Sequence, residues 1–208
     1  MTGPDTDLIE TLAARISALP SPSVRHRVAI VGPPGAGKST LAEALVARLN
    51  RAAPIAALVP MDGFHLDNRI LDARGLRARK GAPETFDAAG FVRMVERLDT
   101  EPEVVIPVFD RARDIAIAGA SVVTPDHRIA VVEGNYLLLS EAPWNRLAAA
   151  WDLSVALRPP VEVLRARLIE RWLAHGHDPD AARVRAEGND LANARRVLND
   201  SLPADIEA

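Results

Sequence analysis

The residues Gly32–Ser39 have the types and spacing of a phosphate-binding loop. Their sequence, Gly-Pro-Pro-Gly-Ala-Gly-Lys-Ser, satisfies the pattern G-x-x-x-x-G-K-[ST]. An apolar run, Val28–Val31, precedes the loop, and leucines at helical spacing follow it. Glycines let successive backbone N–H groups point at an anion, and the N-terminus of the next helix adds partial positive charge. The pattern predicts that the loop binds nucleotide phosphates, with Lys38 as a mobile charge and the Ser39 hydroxyl as a ligand of Mg²⁺.

The use of lysine in this chain supports a chemical role for Lys38. Of the 25 basic residues only two are lysines, Lys38 and Lys80. Arginine therefore serves wherever a generic positive charge suffices, and a lysine marks a place where a guanidinium fork fits poorly. The same contrast singles out Lys80. The predicted contacts with the nucleotide are Gly32, Pro33, Pro34, Gly35, Ala36, Gly37, Lys38, Ser39 and Thr40.

Three acidic residues follow apolar runs that have the composition of strands: Asp62, Asp110 and Glu133. In a parallel sheet the ligand lies beyond the C-terminal ends of the strands, so we expect these carboxylates at one edge. A carboxylate fixed there can accept the proton of a hydroxyl that attacks a γ-phosphate, and we assign this role to Asp62. We expect Glu133 to hold the water shell of Mg²⁺. The simpler alternatives are an Asp-Gly turn, a pair between Asp110 and a nearby arginine, and a plain strand end.

A helix beginning near Pro159 carries two arginines four residues apart, Arg167 and Arg171. A solvated helix face is one interpretation of this pair. The other is a lid, spanning about residues 159–199, that brings guanidinium groups onto the transferring phosphoryl and excludes water. The polar junction Ala174–Asp178 favours the lid.

The composition is that of an ordinary globular chain of 208 residues with 48% hydrophobic content and a net charge of −3. Acidic balance disfavours nucleic-acid binding, and the absence of cysteine excludes disulfides and thiol chemistry. No apolar run has membrane-spanning length, so the cytoplasm is the expected location. Apolar runs of strand length alternate with helical spacing, which predicts a single α/β domain, residues 1–208, with helices on both faces of a mainly parallel sheet.

The elements expected from periodicity are of two kinds. We predict helices at 5–19, 87–98, 140–150, 159–174, 179–187 and 190–199. We predict strands at 28–31, 55–59, 104–109, 129–132 and 153–157, a small hairpin broken by Gly119 within 115–123, and a functional loop or short helical cap at 66–85.

These motifs together resemble the phosphoribulokinase, uridine kinase and bacterial pantothenate kinase group of P-loop kinases. The resemblance covers nearly the whole chain after residue 25, and within the group it is nearest to bacterial fructose transport system kinases. The segments that carry it are Gly32–Thr40, Met61–His65, Gly75–Asp87, Ile106–Asp110, Val132–Tyr136 and Ile169–Leu173.

The resemblance implies a P-loop NTPase fold, three-layer α/β/α with a small helical lid, and transfer of phosphate from Mg·ATP to a small metabolite. It implies that Asp62 is the base, that Lys38 and Ser39 bind phosphate and Mg²⁺, and that Arg171 stabilises the transferring group. From the lid interpretation of the same helix, we expect Arg167 to contact the nucleotide. It also makes a homodimer an expectation. The residues expected around the acceptor are His65, Lys80, Asp110, Arg111, Glu133 and Asn135.

Several functions stay open at this point. The acceptor is a sugar such as fructose, a nucleoside or a pantothenate-like molecule, and it is not settled whether Arg74, Arg77 and Lys80 bind it. A nucleotide-switch NTPase acting on a protein partner is a different class, as is a binding protein without turnover. A guanine-reading Asn-Lys-x-Asp motif is absent from the sequence, and Asp62, Glu133 and Arg171 favour an enzyme.

Overall fold

The computed structural model describes residues 5–208, so the first four residues of the predicted domain lie outside the described part. The helices are α1 Thr6–Ser17, α2 Lys38–Leu49, α3 Asn68–Ala73, α4 Ala88–Thr100, α5 Val161–Ala174, α6 Pro179–Arg185 and α7 Leu191–Asp200. The strands are β1 His26–Val31, β2 Ala56–Pro60, β3 Val104–Asp110, β4 Ile115–Val123, β5 Ile129–Gly134, β6 Leu153–Ala156 and β7 Ile206–Glu207.

Five strands form one sheet in the order β2-β5-β1-β6-β7, and every pairing in it is parallel. The side chains of β1 alternate between two cores, as expected for a strand covered on both faces. Val28 and Ile30 pack with α1 and α2, whereas Ala29 and Val31 pack with α4. The predicted three-layer α/β/α architecture with a mainly parallel sheet is confirmed.

A third apolar cluster joins the C-terminal helices to the phosphate loop. Leu164 and Leu168 of α5 pack with Ala36 of the loop and with Leu191 and Ala194 of α7. The predicted helices of the lid region are present, with a π-helical turn, Ala186–Asp190, between α6 and α7. The segment predicted as the lid therefore shares a core with the phosphate loop.

The hairpin predicted within 115–123 is wrong. Residues Ile115–Val123 form the single strand β4, which pairs antiparallel with β3 in a separate two-stranded sheet. The register shifts opposite Pro107, where Ile106 faces Ser121 and Val108 faces Ile117. Gly119, with φ +66°, lies in this irregular stretch. A glycine with a positive φ on β4, at the level of a β3 proline that has no N–H, therefore marks a bulge and not a turn.

The helix predicted from Ser140 to Ala150 is also wrong. Only the 3₁₀ turn Trp144–Leu147 forms there. Its two apolar ends, three residues apart, are both buried, and a spacing of three matches a 3₁₀ turn. Trp144 packs against the rings of Phe86, Phe91 and Tyr136, with centroids 5.5–6.1 Å away.

None of the helices in the described residues is long and apolar enough to cross a membrane.

Arg25, just before β1, is the buried arginine of the fold, with 1% of its surface exposed. Its guanidinium donates to the carbonyls of Leu98, Glu101, Pro102 and His127 at 2.6–3.2 Å. It therefore ties the end of α4 and the segment before β5 to the start of β1.

Replacement of Arg25 by methionine should destabilise the protein by about 3 kcal/mol, because four buried or half-buried carbonyls lose their donor. Urea unfolding followed by circular dichroism measures the change in the free energy of unfolding. The matched control is Arg69→Met, an exposed arginine whose side chain is 91% accessible. Equal midpoints for the two variants would contradict the structural role of Arg25.

Candidate active site

The register of the parallel strands gathers three chain segments at one edge of the sheet. Pro60, the last residue of β2, pairs with Glu133, and Val31, the last residue of β1, pairs with Gly134. The residues that follow these strands, Gly32 and Asp62, therefore start from the same edge as Glu133. Two of the three predicted carboxylates, Asp62 and Glu133, lie together as expected.

The phosphate loop has the backbone shape that its glycines allow. Gly35 and Gly37 have φ angles of +81° and +97°, a region that other residues rarely adopt. A Cβ on Gly32 would lie 2.7 Å from the carbonyl oxygen of Leu157, so the loop also needs a glycine where it passes β6. Helix α2 begins at Lys38, and its N-terminus faces the loop.

Lys38 is buried, and its Nζ donates to the carbonyl of Pro33 across the loop at 3.0 Å. Burial lowers the pKa of this ammonium, while the negative charges of Glu133 and Asp62 act in the opposite direction. Lys38 thus lies within the field of both carboxylates. A cation held between the loop and two carboxylates is suited to bind the phosphate of a nucleotide.

Ser39 and Glu133 form the second contact between loop and sheet. The Ser39 hydroxyl donates to Oε1 of Glu133 at 3.3 Å. Burial raises the pKa of Glu133, against the effect of Lys38, and the charge of Asp62 raises it further. An exposed hydroxyl bonded to a buried carboxylate is a donor set that Mg²⁺ accepts, directly or through water. The residues present therefore fit a magnesium ion.

Asp62 lies in a 3₁₀ turn, Met61–Phe64, that follows β2 directly. A Cβ on Gly63 would come within 2.4 Å of the carbonyl oxygen of Pro107 in β3. A glycine is therefore needed here for the hairpin formed by β3 and β4 to pack against this turn. The Asp62 carboxylate pairs with Arg111 at the tip of that hairpin. Arg111 itself is 67% exposed, and such a pair is readily broken.

His65, which the sequence predicted to contact the acceptor, packs instead against neighbouring aromatic rings and its own turn. Its Nδ1 lies 2.9 Å from the carbonyl of Asp62, and its ring lies 4.0 Å from Phe86 and 4.6 Å from Phe109. Burial lowers its pKa, although the charge of Asp62 opposes the change. The neutral ring therefore fixes the turn that carries Asp62.

Lys80, the second lysine, joins the 66–85 segment to the hairpin tip. Its Nζ donates to Oδ1 and the carbonyl of Asp114 at 2.7 and 3.0 Å and to Oδ1 of Asn68 at 2.8 Å. It also lies over the ring of Phe109, 5.2 Å from the centroid. Although burial opposes it, the hydrogen bonds from Lys80 and Asn68 lower the pKa of Asp114. Sequence reasoning missed Asp114, whose one signal is an acidic residue in the hairpin turn.

Contrary to expectation, Asp110 does not end a strand of the main sheet, because β3 pairs with β4 in the separate hairpin. Its carboxylate accepts from the backbone N–H of Arg113 at 3.0 Å and from its Nε at 2.8 Å. These bonds lower the pKa of Asp110. In this structure Asp110 forms the arginine pair that was the simpler alternative. Asn135, half-buried, directly follows Glu133-Gly134 at the edge of β5.

The two lid arginines differ in their contacts. Arg167 Nη1 donates to the carbonyls of Gly35 and Ala36 at 3.2 and 3.4 Å, so it touches the phosphate loop itself. Arg171, one turn further along α5, donates from Nη2 to Oδ2 of Asp190 at 2.9 Å. Its positive charge acts to lower the pKa of Lys38.

Comparison with known proteins places this arrangement in a family. No protein-family model matches the chain. A candidate uridine kinase, C227.14 of Schizosaccharomyces pombe, is 34% identical over 214 residues that cover 98% of this chain and 91% of the relative. The chain belongs to the uridine kinase-like group of P-loop kinases. It is a small-molecule kinase that uses ATP.

Two further relatives of this P-loop kinase match most of its length. The uncharacterised protein YggC of Escherichia coli is 37% identical over 188 residues, which cover 89% of this chain and 78% of YggC. A crystal structure of a candidate fructose transport system kinase from Silicibacter sp. TM1040 is 52% identical, covers 97% of both chains and has a TM-score of 0.90. The Silicibacter protein thus shares the fold over nearly the whole of both chains.

The raised pKa of Glu133 makes the stability of this kinase depend on pH. At pH values above 4.5, the ordinary pKa of glutamate, Glu133 is ionised in the unfolded chain but keeps its proton to a larger extent in the folded protein. Because the folded state then binds more protons than the unfolded state, the free energy of unfolding falls as the pH rises. Glu133→Gln should therefore gain stability relative to the wild type between pH 4 and pH 7 without nucleotide. Urea unfolding at several pH values measures this difference, and a difference independent of pH would contradict it.

Proposed function

We propose that this kinase transfers the γ-phosphate of Mg·ATP to a hydroxyl of a small uncharged polyol, with a sugar such as fructose as the first candidate. The observation that carries the choice of acceptor is the charge pattern of the 66–85 segment and of the hairpin tip, which pairs with Asp62. Four cations there have a carboxylate partner within 3.2 Å. The pairs are Arg77–Asp72, Arg79–Glu84, Lys80–Asp114 and Arg111–Asp62.

An anionic acceptor would have to displace a carboxylate from each of these cations that it bound, and the Lys80 side chain, which is 13% exposed, is largely shielded from such exchange by its pair with Asp114. A polyol needs only hydrogen-bond partners, and carboxylates and amides such as Asp62 and Asn135 provide them. The name of the relative from Silicibacter, which refers to fructose transport, agrees with a sugar acceptor. Of the residues expected around the acceptor, we keep Glu133 and Asn135 beside the base Asp62. We assign His65, Lys80 and Asp110 to holding the surrounding turn and hairpin, and Arg111 to covering Asp62 until the acceptor binds.

In the proposed mechanism, the acceptor hydroxyl displaces Arg111 and donates its hydrogen bond to Asp62. As the hydroxyl oxygen forms its bond to the γ-phosphorus, the bond between that phosphorus and the β–γ bridging oxygen breaks and the proton passes to Asp62. Lys38 and Arg171 neutralise the charge that accumulates on the phosphoryl oxygens, and Arg167 holds the loop.

Mg²⁺ would be held by Ser39 and Glu133, and when bound it would neutralise phosphate charge. The remaining sequence predictions, a single domain with its lid at 159–199, a cytoplasmic location and a homodimer, stay part of this proposal.

The test is ATP consumption by the purified protein with a panel of acceptors: fructose and other sugars, their phosphates, pantothenate, uridine and cytidine. We expect stimulation by an unphosphorylated sugar and a loss of about 10²- to 10⁴-fold in kcat with Asp62→Asn. Asp72→Asn, which alters an exposed carboxylate of the 66–85 segment, is the matched control and should retain activity.

Other outcomes would redirect the proposal. Stimulation by pantothenate, a nucleoside or a sugar phosphate would keep the kinase and replace the acceptor. Acceptor-independent turnover that is equal in the wild type and in Asp62→Asn would overturn the role of Asp62 and favour a nucleotide switch.

A further inference from the structure

The π-helical turn Ala186–Asp190 of the lid region has contacts with both sides of the site. Oδ2 of Asp190 accepts from Arg171 Nη2 at 2.9 Å and from Trp172 Nε1 at 2.7 Å. The Asp190 side chain is only 13% exposed. One carboxylate oxygen therefore fixes two adjacent side chains of α5 from outside that helix.

The neighbouring residue of the same turn reaches the opposite side. Asn189 Nδ2 donates to the carbonyl of Lys80 at 2.9 Å. Lys80 is in turn bound to the hairpin tip through Asp114 and is 13% exposed. A π-helical turn carries one residue more than an α-turn, and such insertions occur often at functional sites. Here two successive residues bind opposite sides of the site: Asn189 binds Lys80 of the 66–85 segment, and Asp190 binds Arg171 of α5.

Arg171 is held by Asp190 in a place near the phosphate loop. Helix α5 is seated on that loop, because Arg167 donates to the carbonyls of Gly35 and Ala36 and Leu168 lies 3.4 Å from where a Cβ of Gly35 would be. Arg171 follows Arg167 by four residues and lies on the same helix face. Its charge acts on the buried Lys38 while the pair with Asp190 is intact.

We propose that Asp190 is a positioning residue for phosphoryl transfer, which holds Arg171 in the orientation that meets the γ-phosphate, and that Asn189 fixes the turn to the acceptor-side segment. This inference rests on the role given to Arg171 in the proposed function. Arginine has several rotatable bonds, so a fixed carboxylate partner removes orientations that cannot reach the phosphate before the substrates bind.

The test is a double-mutant cycle with Arg171→Ala, Asp190→Asn and the double variant, measured as kcat and KM for ATP. Asp190→Asn has the same shape but lacks the charge, and should lower kcat about tenfold while KM for ATP changes less than about threefold. Arg171→Ala should lower kcat further. The double variant should equal Arg171→Ala, because Asp190 acts through that arginine.

Glu187→Gln is the matched control, since Glu187 lies in the same turn and pairs with Arg165 at 3.7 Å on the surface. It should retain the wild-type kcat, and thermal unfolding should show that all variants are folded. If no acceptor of the panel is phosphorylated, the same cycle is measured on the slow hydrolysis of ATP by water.

Two results would overturn the inference. One is wild-type kcat in Asp190→Asn together with a reduced kcat in Arg171→Ala. The other is a double variant whose kcat falls by the product of the two single-variant fold losses, which would show that Asp190 acts independently of Arg171. Wild-type kcat in Arg171→Ala would overturn the role of that arginine and this inference with it, while stimulation by an acceptor still reports separately on the proposed function.

Discussion

The burial of the Lys38 ammonium is the constraint on which the rest of the site depends. A cation out of water needs negative charge nearby, and here Glu133 and Asp62 supply it from two neighbouring strands. The parallel pairing of β2 with β5 and of β5 with β1 brings those strand ends to the loop. Because side chains alternate along a strand, a shift of one residue in β5 would turn Glu133 to the other face. The register of the central strands therefore determines the electrostatics of the site.

Around this centre the chain separates two tasks. The main sheet and the phosphate loop carry the groups suited to the nucleotide, and they share the cores that stabilise the fold. The β3–β4 hairpin and the 66–85 segment surround Asp62 from the opposite side and are joined to each other by Lys80 and Asp114. The helices that follow β6 touch both parts. A kinase needs such a division, because the nucleotide is common to the group while the acceptor differs.

The sequence was sufficient to predict the parts whose signal is local. The spacing of Gly32, Lys38 and Ser39 identified the loop, and the buried runs identified the central strands and the carboxylates Asp62 and Glu133. An apolar run such as Ile106–Phe109 reads the same in a main sheet and in a separate hairpin, so Asp110 was misplaced. The two-residue strand β7 is too short to give a pattern.

The ion-pair partners of Lys80 and Arg171 could not be predicted from the sequence, for a different reason. Asp114 lies 34 residues from Lys80, and Asp190 lies 19 residues from Arg171. Neither distance corresponds to a local pattern, and acidic residues are common in both regions. Such pairs depend on how separate elements pack, which periodicity does not report.

The close approach of Gly63 to Pro107 has a consequence for how this group of enzymes diversifies. Within residues 5–208 the hairpin meets the turn of Asp62 through this packing and through the Arg111–Asp62 pair, and it shares no backbone pairing with the strands of the main sheet. Substitutions along the hairpin can then alter the surroundings of Asp62 without breaking a hydrogen bond of the main sheet. Selection can thus act on the choice of metabolite and on phosphate transfer as separate traits.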